Sequence, residues 1–170
     1  SAAMPPGMLA AKVRELGIRT IVDLGAYGAG SREEWLAQRT ATALGVERVV
    51  FPLYGDGTGD PNRYVSALRV VMDRAKRPVL VHCSAGAQRS SVCVGLYRMI
   101  AQGEGLEEVM AEAQRYRHDP SRNPNLRPYL EKWRSAIEEA LKSGAVIEEG
   151  KGLGPPMGGG PEAGDVAPAD

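Results

Sequence analysis

Cys83 and Arg89 are the residues from which chemistry is most readily built. They bracket the turn in VHCSAGAQRSS, residues 81–91, with Gly86 between them. RPVLV before the turn reads as a buried strand, and VCVGLYRMIA after it reads as a buried helix. In an α/β fold the carboxyl end of a strand, where it meets a helix, is where ligands bind. The turn itself, Ser84, Ala85, Gly86, Ala87 and Gln88, is built of small or neutral residues. Gly86 can take a left-handed conformation, and the small side chains leave the backbone N–H groups unobstructed. Such a turn aims N–H donors inward with a helix dipole behind them, which makes a cradle for an anion. Arg89 adds a planar two-pronged grip suited to phosphate. A cysteine at the mouth of that cradle is favoured as thiolate, with a pKa of about 3.5–7.5 against about 8.5 for a free thiol. A thiolate held under a tetrahedral phosphorus is an in-line nucleophile.

The rest of the chain must hold that turn in place. Residues 9–16 read as a helix stopped by Gly17, and residues 18–24 as a strand followed by the flexible GAYGAG. Ser31 with Glu34 forms a capping-box pattern, so residues 32–44 are expected as helix. Residues 46–53 form a second strand, YGDGTG a loop, and Asp60-Pro61 the cap and first turn of a helix through about residue 75. The third strand is residues 78–82, and helices are expected over 89–102, 106–116 and 125–142. Strands alternating with helices imply an α/β domain of three layers: a central, largely parallel sheet with helices on both faces. Residues 1–8 read as an N-terminal extension, 9–142 as the domain, and 143–170 as a disordered tail rich in Gly and Pro.

Composition narrows the partners. Lys and Arg together number 21, and so do Asp and Glu, giving zero net charge. That balance argues against duplex nucleic acid or an anionic membrane as a bulk electrostatic partner. No apolar run approaches the roughly 20 residues a membrane helix needs. The first residues, SAAMPPGM, lack the charged and apolar regions of a signal peptide. Two cysteines in a chain without an export signal are expected as free thiols in a reducing compartment, the cytoplasm.

The phrase His82-Cys83, five residues, Arg89-Ser90 resembles the signature loop of the cysteine-dependent protein tyrosine and dual-specificity phosphatases. RS in place of RT resembles the dual-specificity branch. GIRTIVDL is similar to the family's early strand and RNPNLRPYL to its closing segment, so the resemblance covers roughly residues 9–141. It implies that Cys83 attacks phosphorus to form a phosphocysteine, and that Arg89 and the amides of residues 84–89 hold the phosphoryl oxygens. It implies further that the Ser90 hydroxyl steadies the departing thiolate, that His82 orients the loop and helps set the thiol pKa, and that no metal or other cofactor is required. Two departures stand out. Pro5, Pro6 and Gly7 stand close to the first helix, so the family's usual first strand is expected to be missing or altered and one sheet edge bare. The loop also lacks the lysine of relatives that act on inositol phosphates.

The resemblance calls for an upstream aspartate as general acid, and Asp56 and Asp60 both qualify. Asp60 is expected to spend its carboxylate capping a helix, which lowers its pKa. Asp56 sits among glycines in a loop able to close over substrate and is preferred. The expected activity is hydrolysis of phosphotyrosine, with phosphoserine and phosphothreonine as further substrates on a protein or peptide. The rivals are a phosphatase for an inositol phosphate or an RNA 5′-phosphate, and a binding module that holds phosphorylated ligands without turnover. The sequence leaves the oligomeric state open. Cys93 falls on the apolar face of its helix and reads as core. His118, in the basic stretch RYRHDPSR, reads as part of a solvated loop. GAYGAGSRE lacks the third glycine of a dinucleotide loop, and DGTGDP lacks the later ligands of a calcium loop.

Overall fold

The computed structural model describes residues 1–150. Its sheet has three strands, β1 (Thr20–Asp23), β2 (Glu47–Val50) and β3 (Val79–His82), in the order β2-β1-β3 with both pairings parallel. The register sets Asp23 opposite Val50 on one side and His82 on the other. The three strands therefore end level, and the segments that follow them emerge along one rim of the sheet.

Alternation along the strands divides the core into two. Ile21 of β1 joins Val13, Ile18, Ala41 and Val46 beneath α1 (Pro6–Leu16) and α2 (Arg32–Ala43). Val22 points the other way, into a larger cluster with Leu53, Leu68, Val92, Leu96 and Ile137. That cluster lies under α3 (Pro61–Met72), α4 (Gln88–Tyr97), α5 (Leu106–Arg115) and α6 (Leu126–Ser143). The expected three-layer α/β arrangement is therefore present. All four residues of β1 are buried, as a parallel strand covered on both faces requires. Each large aliphatic side chain so enclosed contributes about 1.5–3 kcal/mol.

The helix ends follow their sequence signals. Ser31 Oγ accepts a hydrogen bond from Glu34 N at 3.1 Å, and Asp60 Oδ1 accepts one from Asn62 N at 2.9 Å. α1 stops at Gly17 in the left-handed region but starts at Pro6, earlier than residue 9, because a proline in the first turn has no N–H to lose. The helix expected over 89–102 widens into a π-helical turn from Arg98 and ends at a left-handed Gly103. The strands are shorter than their apolar runs, since pairing covers only four residues in each.

The sheet edge expected to be bare is partly covered. Ala2 makes a parallel bridge to Cys83, Cys83 N donates to Ser1 O at 3.2 Å, and Ala3 N donates to Ser84 O at 3.1 Å. At the other end, residues 144–150 turn back onto α3, where Asn62 exchanges hydrogen bonds with both backbone groups of Ile147 at 2.8 and 3.0 Å. The rest of the expected tail, residues 151–170, lies outside the described residues. No helix among the described residues is long and apolar enough to cross a membrane.

Candidate active site

Residues 83–87 form the turn between β3 and α4, with Gly86 left-handed at φ 70° and Arg89 in the first turn of α4. A Cβ at Gly86 would collide with the Ser1–Ala2 backbone, so the position demands glycine for space as well as for conformation. Ser84 and Ala85 are exposed at the lip of the turn, while Cys83, Ala87, Gln88, Arg89 and Ser90 are buried.

The Cys83 thiol receives the Ser90 hydroxyl, whose Oγ is 3.2 Å from Sγ. Burial alone pushes this thiol up. Hydrogen bonds from the Ser90 hydroxyl, from the Ser90 and Gly86 backbones, and the charge of Arg89 outweigh it and hold the thiol below its ordinary 9.0. Burial holds the pKa of His82 below 6.5, although a hydrogen bond between its ring and the Cys83 backbone raises it. Its buried ring stands edge-on to Tyr27 and shares a small cavity with Arg48 and Leu80 on the α1/α2 side of the sheet. Cys93 has no such donors, and burial pushes it up to about 12.

Arg89 shows how the guanidinium is aimed. Nη1 donates to Leu24 O at 3.1 Å and also to Gly25 O. Nη2 donates to Ser84 Oγ at 2.8 Å, and Ser84 passes its own proton to Ala26 O at 2.8 Å. Nη1 and Nη2 are thereby engaged, and Nε–H remains on the Nε/Nη2 edge, the edge whose spacing matches two oxygens of a phosphate. Nε is buried without a partner among the described residues. A buried donor left in that state calls for an explanation, and a phosphoryl group in the cradle supplies one. Gly25, left-handed at φ 80°, allows this approach, since a Cβ there would sit 3.2 Å from Nη1 and 3.1 Å from Pro52 Cα.

Asp56 lies in the loop that follows β2. Its neighbour Gly57 packs on the first turn of α4, where a Cβ would come within 3.3 Å of the Gln88 backbone. Oδ1 accepts from Thr58 N at 2.9 Å and from Thr58 Oγ1 at 2.8 Å, and Oδ2 accepts from Asn125 Nδ2 at 2.8 Å. Burial raises the carboxyl pKa, but the Thr58 and Asn125 donors prevail and hold it below 3.8. The loop does not hang free on its glycines. Tyr64 Oη donates to Gly57 O at 2.6 Å and Tyr129 Oη donates to Gly59 O at 2.9 Å. Asp60 is engaged as the cap of α3.

Three participants escape a reading of the sequence. The carbonyls of Leu24, Gly25 and Ala26, in a segment that reads only as a flexible turn, fix Arg89 and Ser84. Asn125 reaches Asp56 from the start of α6. His118 is buried rather than solvated, with Nδ1 2.8 Å from Gln88 Oε1. Arg117, at φ 76°, takes the left-handed turn just before it, and His118 N bonds back to Ala113 O at 3.0 Å. Apolar periodicity cannot register a lone imidazole enclosed in this way. Among the described residues no group of three His, Cys, Asp or Glu side chains is placed to hold a metal ion.

A family profile described as "DSP-PTPase phosphatase fused to NAD+ Kinase" matches residues 10–126. Inositol diphosphatase DSP1 of Oryza sativa subsp. japonica is 36% identical over 78 residues, covering 42% of this chain and 35% of that protein. Dual specificity protein phosphatase TpbA of Pseudomonas aeruginosa (strain UCBPP-PA14) is 27% identical over 114 residues, covering 66% and 48%. The chain thus spans between a third and a half of the length of these relatives. The solved structure of a cysteine-to-serine form of P. aeruginosa TpbA in complex with pTyr superposes with a TM-score of 0.62 at 23% identity, covering 82% of this chain and 83% of that one. At that identity the likeness bears on the fold alone.

Proposed function

The chain belongs to the family of DSP-PTPase phosphatases whose profile it matches, and from that premise we propose that it hydrolyses phosphotyrosine, and phosphoserine or phosphothreonine more slowly, on a protein or peptide. The observation that carries the reading is the pairing of a depressed Cys83 thiol with an Arg89 that lowers it and whose buried Nε has no partner among the described residues. The cysteine-dependent reaction follows in two steps. Cys83 Sγ attacks phosphorus as thiolate, an S–P bond forms, and the bond from phosphorus to the tyrosyl oxygen breaks. The Asp56 carboxyl hands its proton to that oxygen. Water then attacks the phosphocysteine, Asp56 takes a proton from it, and the S–P bond breaks to return thiolate and inorganic phosphate. Arg89 and the loop amides stabilise the equatorial oxygens throughout, and the Ser90 hydroxyl steadies the departing thiolate. Asp56 must enter the first step protonated although its donors favour the carboxylate. A phosphate dianion arriving beside it raises its pKa by like-charge repulsion. The free thiols of both cysteines suit a reducing compartment, the cytoplasm.

A second reading is an inositol phosphate or diphosphate phosphatase, favoured by the 36% identity to the rice enzyme. The neutral SAGAQ loop and the balanced charge of the chain argue for the less highly charged phosphopeptide. A turnover panel of phosphotyrosyl and phosphoseryl peptides against inositol phosphates and diphosphates, with Cys83→Ser as blank, separates the two. Faster turnover of the phosphotyrosyl peptide supports the first reading and faster turnover of an inositol compound overturns it. Activity surviving in Cys83→Ser would exclude the cysteine mechanism altogether.

A further inference from the structure

We infer that Asn125 is a positioning residue that selects which oxygen of Asp56 carries the proton. The inference rests on Asp56 as the general acid. Each carboxylate oxygen has two lone pairs. On Oδ1 both are taken, one by Thr58 N–H and one by Thr58 Oγ1–H. On Oδ2 one is taken, by Asn125 Nδ2 at 2.8 Å. The Asp56 backbone N–H also lies against its own carboxylate, and of the two oxygens Oδ2 carries the fewer side-chain and neighbouring-backbone donors, so the acid proton rides there. Against an ionised carboxylate only the amide nitrogen of Asn125 can serve, because Asp56 offers nothing for the amide oxygen to accept. Without Asn125 the carboxyl group is pinned at Oδ1 alone. It is then free to swing about that anchor, and a proton on Oδ2 can also take the position that Asn125 held, pointing away from the leaving oxygen.

The contact ties the acid loop to the start of α6, beside the bond from Tyr129 to Gly59 O. Asn125 is exposed, precedes α6, and makes no side-chain cap to its own helix. Its backbone carbonyl starts α6 by accepting from Tyr129 N at 3.1 Å, a bond any residue there can make. The acid loop is meanwhile latched by Tyr64 on Gly57 O and Tyr129 on Gly59 O. Removing the Asn125 amide should therefore leave both the helix and the loop backbone standing while releasing the carboxyl.

The test is kinetic and uses the full chain. Turnover of a phosphotyrosyl peptide, whose leaving oxygen needs a proton, is compared with turnover of a fluorinated coumarin phosphate, whose leaving group does not. Four proteins are measured beside wild type: Asp56→Ala, Asn125→Ala, Asn125→Asp and the double variant Asp56→Ala/Asn125→Ala. Asp56→Ala should slow the peptide by about 10²–10⁴-fold and the activated ester much less, since only the first step differs between them. Asn125→Ala should slow the peptide by about 10- to 100-fold, a part of that acid contribution, with the activated ester and the melting temperature near wild type. Asn125→Asp keeps the shape but loses the donor at neutral pH and should behave like the alanine variant. On the Asp56→Ala background the Asn125 substitution should add nothing, since its effect passes through the missing carboxyl. An Asn125→Ala loss that is equal on both substrates, or that persists on the Asp56→Ala background, overturns the inference. If instead Asp56→Ala shows no dependence on the leaving group, it is the general-acid reading itself that fails.

Discussion

The two cysteines offer an internal comparison of what the cradle does to a thiol. Both are almost closed to solvent, Cys83 at 2% exposure and Cys93 at 1%, so accessible area does not distinguish them. Their surroundings do. Cys93 is pushed up to about 12 by burial, and Cys83 is held below 9.0 by Ser90, Arg89 and Gly86 against its own burial. At pH 7 a thiol with a pKa near 12 is ionised about once in 10⁵, and one below 9.0 more than about once in 10². The thiolate populations therefore differ by more than about a thousandfold. The less basic thiolate is intrinsically the weaker nucleophile, by a Brønsted coefficient of about 0.4–0.5, which returns roughly 15- to 30-fold over three pKa units. Iodoacetate at neutral pH should thus label Cys83 at least about thirtyfold faster than Cys93. Mass mapping of the two cysteine peptides over time measures this ratio.

Two controls tie the ratio to the cradle. Inorganic phosphate should slow labelling at Cys83 and leave Cys93 unchanged, because it occupies the same donors as the reagent's carboxylate. The labelling rate at Cys83 should climb with pH and level off once the thiol is fully ionised, and the midpoint of that rise should lie below pH 9. In Ser90→Ala a donor to the charged form is lost. The folded pKa then rises and the plateau moves to higher pH. Equal labelling of the two cysteines, or labelling indifferent to phosphate, would refute the cradle.

Arg89→Lys keeps the charge and loses the planar fork. Lysine cannot hold Leu24 O, Gly25 O and Ser84 while also presenting two parallel donors, so kcat/KM should fall at least about a hundredfold, roughly 2.7 kcal/mol of transition-state stabilisation. Near-normal kcat/KM in that variant would remove Arg89 from the phosphate site. Asp60→Ala deletes the cap that receives Asn62 N at 2.9 Å. It should cost about 0.5–2 kcal/mol in chemical denaturation with turnover largely kept. A leaving-group-dependent loss of turnover in Asp60→Ala would exchange the roles of the two aspartates.

The phosphate cradle is legible in the sequence because its parts are contiguous. Nucleophile, small-residue turn and arginine occupy seven successive positions, and the strand before and helix after each declare themselves by composition. Helix caps are legible for the same reason, since Ser31 and Asp60 bond to groups two or three residues away. What aims Arg89 is not legible. Its partners are main-chain carbonyls 65 and 64 residues away, and a carbonyl carries no signature of residue type. Asn125 meets Asp56 across 69 residues and His118 meets Gln88 across 30, each through an element with its own ordinary reading. The loop of Asp56 reads as mobile from Gly55, Gly57 and Gly59. Tyr64 and Tyr129, which latch it, read simply as apolar positions of α3 and α6.

A neutral loop can grip a dianion only if its single cation is aimed, and the aim here is set from the far side of the sheet. Asp23 is fully buried at the end of β1 and takes Arg48 Nη2 on Oδ2 at 2.7 Å, with the Arg48 side chain 2% exposed. A buried pair of this kind is weak evidence for stability, because desolvation offsets most of its Coulombic gain. Its consequence for geometry is more direct. With Oδ2 engaged, Oδ1 is turned to accept Ala26 N at 2.7 Å, which fixes the peptide units from Leu24 to Ala26. Those units present the carbonyls of Leu24 and Gly25 to Nη1, and the Ala26 carbonyl to Ser84, which in turn takes Nη2. Every acceptor on the non-reacting side of the guanidinium thus descends from one buried carboxylate. Once those acceptors are fixed, the guanidinium has its buried Nε–H left to offer, and its charge helps hold the Cys83 thiol below 9.0.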